Sequence, residues 1–271
     1  MSDPPTPAPT PLAALLLTAF AFCAFALTAM LVTPGVGGSF GLALGLLLGF
    51  GGAGTLAARS VPPPADRRIG LAGFAPHLLL PLALLTPVVL LLSELDNGVA
   101  TLLFAGQKPS AGELAPGALD TLEWVLFAVL LRPVLEEFFF RGVVQQGVVA
   151  ALGPGRGVLY TAALFALVRA SLFAGDAYHA TSFGAQALWL GALLGFVRLA
   201  SGSILPGALL SMAVEAAGVL SLQLRDALAI PGFNAAGAHT PIAWLLPAAL
   251  SVGAGIALLA RHARDPHGRE R

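Results

Sequence analysis

Glu136 and Glu137 stand side by side in LEEFFFRG (135–142), with Arg141 one helical turn further on, inside an apolar run that begins near Leu122. Ionised groups at the centre of a membrane helix cost about 2.5–3.5 kcal/mol each, so such groups mark either a functional site or ion pairing. A carboxylate in a water-poor cavity can be tuned into a general base for hydrolysis. Arg132 and Glu136 are four residues apart, as are Glu137 and Arg141, so the spacing predicts two ion pairs, each closed on one helix face. Glu136 and Glu137 themselves project about 100° apart and do not converge on one ligand. Two later apolar segments add polar groups at similar depth. LFALVRASLF sets Arg169 one turn after Phe165, and GSILPGALLSMAVEAAG sets Glu215 one turn after Ser211.

The elements that must position these groups follow from composition. Of 271 residues, 57% are hydrophobic and 10% charged, against about 25% charged in soluble domains. Residues 11–32 are uncharged throughout, enough for one membrane crossing. The first ten residues hold one Asp and no Lys or Arg, unlike the basic leader of a cleaved signal peptide. Apolar runs broken by Gly, Pro and charge predict eight membrane helices at 11–32, 38–57, 72–93, 119–149, 158–174, 184–200, 203–224 and 241–260. The fourth would be about 46 Å long against roughly 30 Å of hydrocarbon, so it either protrudes or bends at Pro133. The expected architecture is an all-α polytopic membrane helix bundle. A disordered tail occupies 1–10, the transmembrane domain 11–260 and a basic cytoplasmic tail 261–271.

A zero net charge gives no bulk attraction to nucleic acid, and the lone Cys23 excludes an intrachain disulfide or a CxxC metal site. Gly37, Gly41, Gly45 and Gly49 make one smooth helix face, and Gly191 and Gly195 repeat the spacing. Close packing inside the bundle is the favoured reading of these faces, ahead of a dimer contact. No inverted repeat of the transporter kind is visible. With the N-terminus in the cytoplasm, Arg59, Arg67, Arg68, Arg156, Arg198, Arg261, Arg264, Arg269 and Arg271 fall inside, and only Lys108 and Arg225 outside. That bias places both termini on the cytoplasmic side of the cell's inner membrane.

With these motifs in place, the sequence resembles the CPBP family, the CAAX prenyl protease 2 and bacteriocin-processing intramembrane endopeptidases. The family core reads E-E-x-x-x-R on one helix, F-x-x-x-H on the next and H-x-x-x-N on a later one. EEFFFR fits the first element in full, and QALWLGALLGFVRLASGSILPGALL is similar to the Gly-rich helix and basic turn that follow. Order and spacing agree over about 119–220. The resemblance implies that Glu136 activates water, that Glu137 and Arg141 orient and balance it, and that histidines bind metal or stabilise the oxyanion.

Here the chain departs from the pattern. Arg169 stands at the second-motif histidine, and Ser211 and Glu215 stand where the third motif has His and Asn. His77 belongs to the third span, while His179, His239, His262 and His267 fall in expected loops or the tail. A guanidinium has no acceptor and cannot ligate metal. At about 5 Å from a divalent cation and an effective dielectric of about 20, it repels the ion by roughly 6–7 kcal/mol. Glu215 then supplies a negative partner for Arg169. Glu136, Glu137 and Glu215 against Arg132, Arg141 and Arg169 make a neutral six-charge set.

The expected function is therefore a CPBP-type membrane protein whose protease site is degenerate and metal-free. It would act in binding or regulation, with membrane lipid, a hydrophobic or prenylated peptide, or a membrane protein as partner. No cofactor is expected, zinc entering only if the site is intact. An atypical glutamate-dependent endopeptidase is the alternative, with Arg169 stabilising the oxyanion. Ser211 as nucleophile has only Glu215 beside it as a base. A small transporter would use the same charges as an ion path. The topology predicts that reporter fusions at residue 110 and at the C-terminus give opposite signals; matching signals would defeat the eight-span reading.

Overall fold

The computed structural model describes residues 8–106, 122–123 and 125–264. Among these, nine helices follow in order, and the one β-like contact is an isolated bridge between Pro231 and Ala235. They are α1 (Pro11–Val36), α2 (Gly38–Ala58), α3 (Ala65–Ile69), α4 (Pro76–Leu103), α5 (126–152), α6 (Pro154–Ser171), α7 (Ala177–Ser201), α8 (Leu205–Gln223) and α9 (Ile242–Arg264). The chain is an all-α membrane helix bundle. Residues 1–7, 107–121, 124 and 265–271, and with them the reporter position at residue 110, lie outside the described residues.

Local chemistry accounts for the helix ends. The Thr10 side chain accepts from Ala13 N at 3.3 Å, and Pro11 opens α1 where its missing N–H has no helical partner. Gly153, at φ 81°, divides α5 from α6, and Pro154 starts the new helix. Asp176 caps α7 by accepting from His179 N at 3.0 Å. Left-handed Gly202, at φ 72°, ends it.

Several boundaries differ from expectation. α4 runs on to Leu103 rather than stopping at 93, because Glu94 and Asn97 find partners in the 230–240 loop. Asn97 Nδ2 donates to Gly232 O at 3.1 Å, and Thr240 N donates to Glu94 at 2.8 Å. α6 begins at Pro154 rather than 158, and α7 at Ala177 rather than 184. His179 therefore lies in the first turn of α7, not a loop, and His262 lies within α9, not the tail. By length and composition five helices can cross a membrane, namely α1, α2, α4, α7 and α9, while Leu205–Ser221 is apolar but shorter. The charges of α5 and α6 set those two helices apart from the other five.

Pro133 neither stops α5 nor ends it early. The chain adopts wider π-helical turns at Leu126–Leu131 and Glu137–Val144, on either side of Arg132–Glu136, and continues to Leu152. Such turns absorb a residue that cannot donate to the i→i−4 ladder.

The glycine face of α2 lies against α1. A Cβ added at Gly45 would sit 2.7 Å from Phe25 O, and at Gly49 2.6 Å from Ala21 O. The face is thus a backbone approach inside the bundle. Beside it Phe50 of α2 meets Phe139 and Phe140 of α5 at centroid distances of 5.1 and 5.8 Å, and Phe140 meets Phe165 of α6 at 5.2 Å. A second core joins Leu82 and Leu85 of α4, Leu194 of α7, Leu210 of α8 and Leu259 of α9.

Contacts between helix ends show the threading. Tyr160 OH donates to Pro11 O at 2.8 Å, Arg198 to Arg68 O at 2.8 Å, and the His77 and His262 rings meet at 3.1 Å. These residues share one end of the bundle. Tyr178 OH reaches Asp96 at 2.7 Å, and Ser93 reaches Gly232 O at 3.1 Å, at the other end. Gly49→Leu should lower stability by about 1–3 kcal/mol, the usual cost of overpacking. Gly98→Ala, with nothing within 4 Å of its added carbon, should be neutral or mildly stabilising. Thermal unfolding in detergent distinguishes them, and equal effects would contradict the close α1–α2 approach.

Candidate functional site

Three helices bring four charges together. α5 supplies Arg132 and Glu136, α6 supplies Arg169, and α8 supplies Glu215. Arg169 Nη2 lies 2.7 Å from Glu136 Oε2 and 3.7 Å from Glu215 Oε1, and Arg132 Nη2 pairs with the same Glu215 oxygen. Glu136 is 5% exposed. The expected local pair between Arg132 and Glu136 is not what forms. Each ion takes a partner on a neighbouring helix instead, so Arg132 reaches α8 and Glu136 turns to α6. The exchange makes the charges a tie between helices rather than a patch on one of them.

The six-charge set likewise divides into four and two. Glu137 and Arg141 form a separate pair, with Nη1 3.0 Å from Oε1 and both side chains almost wholly enclosed. Arg141 Nη2 donates to Gly191 O of α7 at 3.1 Å, and one turn on Gln145 Nε2 donates to Gly195 O at 3.0 Å. Two side chains four residues apart on α5 thus meet two glycines four residues apart on α7. An added Cβ at Gly195 would sit 2.8 Å from Val158 Cγ1 and 2.9 Å from Gln145 Oε1, so both neighbours constrain that position. Gly207 of α8 is constrained in the same way, since a Cβ there would fall 2.3 Å from Glu137 Oε2.

Phe165 joins the two groups. Its ring has Arg141 Cζ 4.6 Å and Arg169 Cζ 5.1 Å from its centroid, within cation–π range. Ser211 is buried one turn before Glu215. Gln145, Gly207 and Phe165 belong to the site although the motif reading gave them no role. The signal that could have found Gln145 was its four-residue step beyond Arg141, matched by Gly191 and Gly195.

The four histidines among the described residues bond to partners outside the charge cluster. His179 Nδ1 lies 2.5 Å from Asp176 Oδ2, and its ring stacks on Phe173 at 5.5 Å. That hydrogen bond holds the Asp176 carboxyl below its ordinary value. His239 is bonded to Glu94, and His77 to His262.

Comparison with known families agrees with the motif order. Residues 118–217 match the family model described as type II CAAX prenyl endopeptidase Rce1-like. The match covers just over a third of the chain, and over that segment the chain is similar to this family; five of its helices are long and apolar enough to cross a membrane. Comparison with curated proteins and with solved structures gives no match.

The residues present do not fit the metal that the family's histidines would hold. Glu136 and Glu215 are each engaged by a guanidinium, and Arg169, which cannot ligate a metal, stands beside both. Among the described residues no group of three or more His, Cys, Asp or Glu is placed to hold an ion.

Proposed function

We propose that the protein is a CAAX-protease-like scaffold in which an ion-pair network replaces the hydrolytic centre, leaving a binding or regulatory role. The observation that carries this is the 2.7 Å pair between Arg169 and Glu136. A base must offer a lone pair to the proton of an attacking water. Here the carboxylate oxygen accepts from a guanidinium that cannot itself take a proton. Glu215, in the place of the third-motif Asn, completes the neutralisation.

An apolar recess of about 600 Å³ between α2 and α5 supports a hydrophobic partner. It is lined by Leu47, Gly51, Thr55, Leu56, Leu135 and Phe138, and its chemistry suits a prenyl chain or an apolar peptide. The protein would sit in the cell membrane with both termini cytoplasmic, in keeping with the arginine bias.

One observation favours the enzymatic alternative. Arg169 Nε has no hydrogen-bond partner, and a spare donor beside Glu136 is what an oxyanion would need. Incubating purified protein with a prenylated CAAX peptide, and measuring zinc after dialysis, separates the two readings. The expected result is no cleavage and zinc far below one per chain. Cleavage abolished by Glu136→Gln, or stoichiometric zinc, would overturn the proposal. The combined variant R169H, S211H and E215N should gain zinc binding where the parent has none.

A further inference from the structure

A second cavity, of about 210 Å³, lies between α5 and α7 and is lined by Arg141, Gln145, Gln146, Val149, Arg198 and Leu199. Glu137 closes an ion pair with Arg141 and also acts on Arg198 from beyond ion-pair distance, so two guanidiniums share one carboxylate. Among the described residues no carboxylate lies within ion-pair distance of Arg198; its Nη2 donates to the neutral Arg68 carbonyl at 2.8 Å, and its Nε has no partner. The guanidinium is nevertheless held in a built seat. Gly70, at φ 80°, lies so close that a Cβ would fall 2.5 Å from the Arg198 Cζ. The backbone around it is tied down by Ile204 N donating to Gly70 O at 3.0 Å and Ser203 Oγ donating to Ala72 O at 2.6 Å.

A half-buried guanidinium that shares its carboxylate with a second arginine is under-compensated, and an anion that enters from outside removes the imbalance. The surroundings favour one. Arg67 and Arg68 are exposed at this end of the bundle, with Asp66 as the nearby acid on α3. The volume is several times the roughly 30 Å³ share of one water, room for a tetrahedral oxyanion. Arginine binds phosphate through two parallel donors, and basic pockets between helices at a membrane face are suited to anionic headgroups.

We propose that this cavity is a site for a phosphate group, supplied by an anionic phospholipid headgroup or by free phosphate, with Arg198 as its principal ligand. The cavity is separate from the recess between α2 and α5; it shares Arg141 and Gln145 with the candidate site, but anion binding at Arg198 does not require that hydrolysis be lost. Arg141 lines it too, and Arg141 is what clamps α7 to α5 through Gly191. An occupant would therefore act on that clamp, one turn from Glu137.

The test uses delipidated full-length protein in detergent, with thermal unfolding followed as phosphatidylglycerol, phosphatidylcholine or inorganic phosphate is added. Phosphatidylglycerol should raise the midpoint well above the zwitterionic lipid. Inorganic phosphate should act in the same direction; if it acts alone at full size, the free anion is the source. Arg198→Gln should weaken the phosphatidylglycerol effect about tenfold in apparent affinity, equivalent to about 1.4 kcal/mol, while Arg156→Gln at the exposed surface should keep it. Should Arg198→Gln fail to fold, Gln146→Glu places a carboxylate in the cavity and should make stability indifferent to the anionic lipid. An undiminished response in these cavity variants, or an equal loss in Arg156→Gln, would overturn the site.

Discussion

Six ionised side chains inside apolar helices must each meet an opposite charge, and the bundle is arranged around that requirement. An isolated ion removed from water is so costly that a helix carrying one is held to whichever neighbour carries its partner. Arg169 on α6 meets Glu136 on α5, and Arg132 on α5 meets Glu215 on α8. Three helices are thereby fixed at one depth and one rotation. Were the pairs closed within α5, as spacing alone suggests, α6 and α8 would be free to slide.

Backbone geometry adapts to the same demand. π-helical turns on both sides of Arg132–Glu136 carry α5 past Pro133. Glycines at 191, 195 and 207 let α7 and α8 come near enough for Arg141, Gln145 and Glu137 to touch them. Phe165 fills the space between the two charge groups with a ring face that suits both guanidiniums. The family that this segment resembles has histidines at two of these places, those of Arg169 and Ser211. This chain has a closed set of salt bridges there.

The helices were legible because apolar runs of membrane length leave few alternatives, and the family segment was legible because EEFFFR keeps its spacing to Arg169 and Glu215. Partner choice was not. Four-residue spacing makes Arg132 and Glu136 look like a pair, and only the approach of α6 and α8 offers each a better one. The first turns of α6 and α7 were hidden because hydropathy sees their polar residues as loop, although Pro154 and the Asp176 cap mark them. Arg198 was counted as one more inside charge; its seat under the 68–72 backbone, with Glu137 shared with Arg141, appears only in the fold. The lower half of α4 was missed for a related reason, since Glu94 and Asn97 are acceptable in a helix only once the 230–240 loop is in place.

The account rests on Arg169 being tied to Glu136, and a double-mutant cycle measures that tie directly. Arg169→Gln, Glu136→Gln and the double variant would be compared by denaturant or thermal unfolding in detergent. Breaking a buried pair in soluble proteins costs about 3–5 kcal/mol, and membrane interiors return less because the unfolded chain also finds partners. The expected coupling is therefore about 1–3 kcal/mol. It should exceed the coupling of Arg169 to Glu215, which lies at 3.7 Å rather than 2.7 Å. A coupling indistinguishable from zero for both carboxylates would mean that Arg169 is not the centre of the network, and the degenerate-site reading would fall with it.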